Sequence, residues 1–162
     1  MRAAATLMRL DLIPDPDLAF AQQVVCDLGC GDGEFLIGLL HHINVTNTTS
    51  LKTINGLGVD YNAELIKTAA LNAVMAGENA QWLTYDFNLD EDDLLGTLET
   101  EGVTHVFVYL VPKQLVLKTV RTLLTRLFES GVMICCHKFQ PGYLKAARTD
   151  ILMDLVVYEG RI

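Results

Sequence analysis

The stretch Val24-Val25-Cys26-Asp27-Leu28-Gly29-Cys30-Gly31-Asp32-Gly33-Glu34-Phe35 decides the fold. Val24–Leu28 reads as a short apolar strand with an acid near its end. Gly29, Gly31 and Gly33 follow at once, and Phe35, Leu36, Leu39, Leu40 and Ile43 then recur at helical spacing. A strand thus runs through a glycine turn straight into a helix. Glycine is needed where the backbone takes positive φ or approaches a ligand closely. A turn that opens a helix can also aim backbone N–H groups at a ligand.

Working outward, strands and helices alternate. Thr53–Asp60 reads as a second strand, after a polar loop over Asn44–Lys52. A helix over Ala63–Ala76 follows, with Leu65, Ile66, Ala69, Ala70, Ala73 and Val74 on one face and Gly77 as its cap. Gln81–Asp86 is a third strand. The acids Asp90–Asp93 suit a helix start, where negative charge meets the positive end of the dipole, and Leu94, Leu95 and Leu98 form that helix's buried side. His105–Leu110 is a fourth strand. One long helix is expected from Pro112, with Leu115, Val116, Val120, Leu123, Leu124, Leu127 and Phe128 in a continuous stripe closed by Gly131. Val132–His137 and Met153–Tyr158 are the fifth and sixth strands, and Met1–Leu10 reads as a short helix beside the sheet. The alternation indicates an α/β fold, a doubly wound and mostly parallel sheet with helices on both faces. Residues 1–162 are read as one domain, with 1–23 as its lead-in.

With 51% hydrophobic residues, 20% charged and a net charge of −8, the chain reads as globular. The acidic balance argues against a nucleic-acid partner, which needs clustered Lys and Arg. No apolar run reaches the length of a membrane span, so no membrane partner is expected. Cys26, Cys30, Cys135 and Cys136 lack C-x-x-C spacing, so no metal is expected; three of them lie in apolar strands as small core residues. Unpaired cysteines point to a reducing, cytoplasmic compartment, against a faint organellar signal in the acid-free Met1–Leu10. The sequons at Asn44 and Asn47 read as accidents of a polar loop, and His41-His42 as a helix end rather than a metal pair.

A dinucleotide fingerprint requires G-x-G-x-x-G, but Glu34 stands where its third glycine belongs. The spacing here is G-x-G-x-G after Asp27, and the run Val24–Phe35 resembles the first motif of class I S-adenosylmethionine (SAM)-dependent methyltransferases. The resemblance extends over most of Val24–Cys136 and implies a Rossmann-like methyltransferase fold. It implies SAM as cofactor and S-adenosylhomocysteine as product. Gly29, Cys30, Gly31 and Gly33 would lie along the methionine and ribose portions, and Asp27 would hold the ammonium end. Asp60, ending the second strand, would accept from the ribose hydroxyls, with Tyr61 flanking adenine. Asp86 and Phe87, ending the third, would meet the adenine amino group and ring.

The segment Tyr109-Leu110-Val111-Pro112 looks like the post-strand motif of a subset of small class I enzymes that includes protein-lysine methyltransferases, and it lacks the Asn/Asp-Pro-Pro-aromatic motif of amino-directed nucleic-acid enzymes. It implies Tyr109 as the catalytic residue, stabilising a cationic amine through its ring. Leu110, Val111, Pro112 and His137 would form the acceptor pocket. A protein lysine is the preferred acceptor, with a small-molecule acceptor as the alternative. A catalytically silent SAM-binding subunit with a partner is another reading, as is a nicotinamide enzyme, disfavoured by Glu34. The first strand begins at Val24 and six strands are read where the family has seven, so a trimmed fold or a piece of a longer protein is expected.

Overall fold

A computed structural model describes residues 1–10, 22–46, 54–87, 89 and 93–160. The chain runs α1 (Arg2–Leu7), β1 (Gln23–Leu28), α2 (Glu34–Thr46), β2 (Ile54–Asp60), α3 (Ala63–Ala76) and β3 (Ala80–Thr84). It continues through α4 (Leu94–Thr100), β4 (His105–Val108), α5 (Pro112–Leu115), α6 (Lys118–Glu129), β5 (Met133–His137), β6 (Arg148–Asp150) and β7 (Leu155–Tyr158). The seven strands form one sheet in the order β3-β2-β1-β4-β5-β7-β6. The first five are parallel, and β7 runs antiparallel to both β5 and β6. The α/β reading is therefore correct in class, but the sheet has seven strands rather than six. The missed strand, Arg148-Thr149-Asp150, is a short edge strand whose polar residues give no apolar alternation.

Two apolar layers cover the sheet, as strand periodicity requires. Val25, Phe107 and Cys135 face α1 and α2, where Ala5, Leu36, Leu39, Leu40 and Ile43 are buried. Cys26, Val106, Val108 and Cys136 face the opposite layer of Leu98, Val120, Leu124 and Leu127. The adjacent Cys135 and Cys136 thus point to opposite faces. All four cysteines are free and buried, and burial pushes their thiols well up.

Helix ends follow local chemistry. The Asn62 side chain caps α3 by accepting from the N–H groups of Glu64 at 3.0 Å and Leu65 at 3.3 Å, and Gly77 closes it at φ 71°. On α3 only Ile66, Ala69 and Ala73 are buried; Leu65 and Val74, expected on the inner face, are exposed. The first sheet-crossing helix runs on to Thr46, so His41 lies inside it, beside Glu78 at 3.1 Å. Of the acids Asp90–Asp93 only Asp93 is described, capping α4 through Gly96 N–H at 2.8 Å. The remainder of the loop expected over Asn44–Lys52 lies outside the described residues beyond Thr46.

The long helix expected from Pro112 is broken. Leu117 takes extended backbone (φ −57°, ψ 138°) between α5 and α6, and Val116 is exposed rather than part of the stripe. Tertiary bonds stabilise the break. The Tyr143 hydroxyl donates to the Leu115 carbonyl at 3.1 Å, and the Thr119 hydroxyl donates to the Phe87 carbonyl at 2.6 Å. Among the described residues no helix is long and apolar enough to cross a membrane.

Candidate active site

The order of the strands reverses between β1 and β4, and such a switch point opens a crevice beyond the carboxyl ends of the strands. A cavity of 480 Å³ lies there. Its floor comes from the turn after β1, through Asp27, Gly29, Cys30 and Gly31. One wall comes from Phe35 of α2, Phe107 and Tyr109 at the end of β4, and His137 at the end of β5. Met1, Ala3 and Ala4 at the start of α1 and Met153 and Leu155 at the start of β7 complete the lining. Helix α1 is tied down from across the sheet, because Arg148 donates from Nε and Nη2 to the Leu7 carbonyl at 3.1 and 2.9 Å. Glu159 in turn pairs with Arg148 Nη1.

The three glycines of the turn do different work. Gly31 has φ 56°, and a Cβ built on it would meet nothing within 4 Å, so open space lies in front of it. Gly33 has φ 81°, and a Cβ there would stand 2.5 Å from the Trp82 ring and 3.0 Å from Ala69. Gly33, expected at the cofactor, is a packing glycine that lets Trp82 of β3 slide beneath the turn.

The turn's donors are also spent internally. The N–H groups of Gly29 and Cys30 both donate to the Val59 carbonyl, at 2.8 and 3.0 Å. Gly31 N–H donates to Asp60 Oδ2 at 3.0 Å, and Gly33 N–H to the Cys30 carbonyl at 3.0 Å. The sequence reading expected these amides to face a ligand; the fold uses them to hold the turn on the end of β2. These four amides are therefore not available to cradle a phosphate.

Charge points the same way. Among the described residues the lining carries Asp27, Asp32 and Glu34 but no Lys or Arg side chain. Asp27 is 2% exposed, and burial together with the Asp60 carboxylate pushes its pKa up to about 7. Asp60, 6% exposed, also accepts from the Asn62 N–H at 2.9 Å. With Asp27 in the lining, Asp60 behind Gly31 and no Lys or Arg among the described lining residues, the site favours a cationic ligand.

The cavity brings together Asp27, Gly29, Cys30, Gly31, Tyr109 and His137 of the residues singled out above. The Tyr109 ring lies 5.1 Å from His137 and parallel to Phe139 at 6.4 Å. Asp60 reaches the site through Gly31, and Tyr61 is exposed just beyond it. Asp86 lies past the end of β3, while Phe87 is buried in the core, edge-on to Tyr85. Leu110, expected in the acceptor pocket, is instead buried, its Cδ2 3.0 Å from a Cβ built on Gly29. Val111 and Pro112 are exposed and absent from this lining; Pro112 lines a neighbouring groove. The sequence reading missed Phe35 and Phe107, whose rings stack at 3.7 Å, and the α1 and β7 contributions. Phe35 was visible only as part of a helical stripe, and nothing local marks α1 as a roof.

No protein-family model matches the chain, and no curated protein matches it in sequence. Solved structures do match. A SAM-dependent methyltransferase from Aquifex aeolicus aligns at 14% identity and TM-score 0.56, over 96% of each chain. A sarcosine dimethylglycine methyltransferase from Galdieria sulphuraria, so named provisionally, aligns at 13% identity and TM-score 0.55, covering 83% of this chain and 43% of its own. PKMT2 from Rickettsia typhi aligns at 18% identity and TM-score 0.53, covering 86% and 25%. The chain spans less than half the length of several solved proteins it matches. At these identities the likeness establishes the architecture, and the chain has the seven-stranded Rossmann-like fold found in SAM-dependent methyltransferases.

Proposed function

We propose that the chain is a SAM-dependent methyltransferase acting on an amine, with the side chain of a protein lysine as acceptor. The observation that carries this reading is the charge of the turn: Asp27 and Asp60 are buried beside it, four of its amides are engaged, and among the described residues no Lys or Arg side chain lines the cavity. That combination suits a donor with ammonium and sulfonium charges and opposes a dinucleotide pyrophosphate.

When bound, SAM supplies a methyl group on a sulfonium for in-line displacement by the acceptor's lone pair. Asp27 would pair with the ammonium at the amino-acid end. Asp60 retains lone pairs beyond the two amide bonds it accepts, enough for ribose hydroxyls. The open space before Gly31 leaves room for the chain between them. Phe35, Phe107 and Tyr109 exclude water from the acceptor end and favour a cationic amine over their ring faces. His137 lines the same end and would carry the acceptor's proton to solvent.

The test is twofold. SAM and S-adenosylhomocysteine should raise the melting temperature while NAD leaves it unchanged; stabilisation by NAD alone refutes the reading. Incubation with methyl-labelled SAM should label a lysine-containing protein pool. Label confined to metabolites moves the acceptor to a small molecule, and donor binding without any label favours a silent subunit.

A further inference from the structure

We propose that the rim at the carboxyl ends of β4 and β5 is a peripheral docking surface for an anionic lipid bilayer. The inference is independent of the chemistry proposed above. Its first support is the turn between β6 and β7, where Ile151, Leu152 and Met153 are 84%, 95% and 50% exposed. The turn is held in shape, because Asp150 Oδ1 accepts from the N–H groups of Leu152 and Met153, each at 3.1 Å. Lys138 N–H donates to the Asp154 carbonyl at 2.8 Å, fixing the turn beside the end of β5. A hydrogen-bonded turn thus presents aliphatic side chains to water, and packing among the described residues gives no reason for it.

The second support is charge. From Tyr109 to Thr149 the sequence holds one acid, Glu129, which ends α6 far from this rim. Against it stand Lys113, Lys118, Arg121, Lys138 and Lys145, in a chain whose net charge is −8. Of these, Lys138 lines a groove of 330 Å³ together with Pro112, Val116, Phe139 and Tyr143. Arg121 lies over the Tyr143 ring at 5.1 Å, and Lys138 Nζ over the Phe139 ring at 5.6 Å. Val116, 73% exposed, adds a further aliphatic group at the α5–α6 break. Among the described residues the acids of the turn are Asp150, engaged by the turn's amides, and Asp154, while Asp32 and Glu34 line the cavity beyond Met153.

Aliphatic groups on a projecting turn, flanked by flexible cations, match the chemistry of an acidic membrane surface. A nucleic acid would use the cations but has no partner for Ile151 and Leu152. Because Met153 also lines the main cavity, docking in this way sets the cavity mouth against the lipid headgroups. The sequence reading expected no membrane partner, from the lack of a spanning segment. A peripheral surface depends instead on which side chains the fold leaves exposed.

The experiment is co-sedimentation of the chain with phosphatidylserine–phosphatidylcholine vesicles against phosphatidylcholine alone, over a salt series and without SAM. Binding to the anionic vesicles, weakening with salt, is expected. Ile151→Ser combined with Leu152→Ser should cut partitioning by at least about tenfold, and Lys138→Gln or Lys145→Gln by about fivefold each. Melting temperatures of these surface variants should match the parent, so lost binding is not lost folding. Equal binding to neutral vesicles, an unaffected Ile151/Leu152 variant, or binding to nucleic acid in place of vesicles each overturns the proposal.

Discussion

Asp60, at the end of β2, accepts the backbone N–H of Gly31 at 3.0 Å, so the acid of one strand holds the turn of its neighbour. Its other oxygen accepts from Asn62 at 2.9 Å, which places the start of α3 as well. Asp60→Ala therefore removes a brace together with the proposed ribose contact. SAM affinity should fall about 10- to 100-fold, the worth of a charged hydrogen bond. Folding stability should fall by about 1–2 kcal/mol for the amides left unpaired. Titration calorimetry beside a denaturant melt reads both, and unchanged affinity refutes the ribose assignment.

Asp27 yields a pH prediction with a definite sign. Its carboxyl lies near 7 in the unliganded fold, raised by burial and by Asp60. The folded state then holds a proton that the unfolded chain has already lost, so this group's stability contribution declines as pH rises from about 4 to 7. A cationic donor favours the carboxylate, so SAM binding should release a proton near pH 6 and strengthen toward pH 8. Calorimetry in buffers of different ionisation enthalpy measures that proton.

The same residue should separate stability from binding. Asp27→Asn retains the shape of the protonated acid. At pH 8 the unliganded variant should be more stable by about 1–3 kcal/mol, while its SAM affinity falls at least about tenfold. Losses in both would show that Asp27 is structural rather than a partner of the donor's ammonium.

Gly31 and Gly33 should respond differently to alanine. Gly33→Ala drives a methyl to within 2.5 Å of Trp82 at positive φ, and should cost about 2–4 kcal/mol. Trp82→Leu should restore part of that loss. Gly31→Ala meets only open space, so it should cost about 1 kcal/mol of stability for its φ of 56°, with a larger fall in SAM affinity. Thermal melts and donor titrations of both variants test the division.

Tyr109 is 48% exposed, so Tyr109→Ala should leave the fold and SAM affinity intact. Methyl transfer should drop by about 10- to 100-fold through the loss of the ring beside the acceptor. Tyr109→Phe, which keeps the ring face, should retain most of the rate. A Phe variant as slow as the Ala variant would assign the effect to the hydroxyl instead.

Local pattern in the sequence determined the α/β class, the strand–turn–helix at Val24–Phe35, and the helix over Ala63–Ala76 with its cap at Gly77. Those features rest on apolar periodicity and glycine conformation, which act over a few residues. Tertiary structure alone decided the break at Val116–Leu117, since the Tyr143 hydroxyl that donates to the Leu115 carbonyl is brought there only by the folded sheet. It decided the seventh strand too, because a three-residue edge strand is specified by its partner β7 and not by its own pattern. At the site, the glycine turn and its acids are legible because strand ends follow strands. The division between Gly31 and Gly33 is not, because Trp82 arrives from two strands away. Nor is the cavity's roof, which Arg148 secures by reaching Leu7 from the far end of the chain.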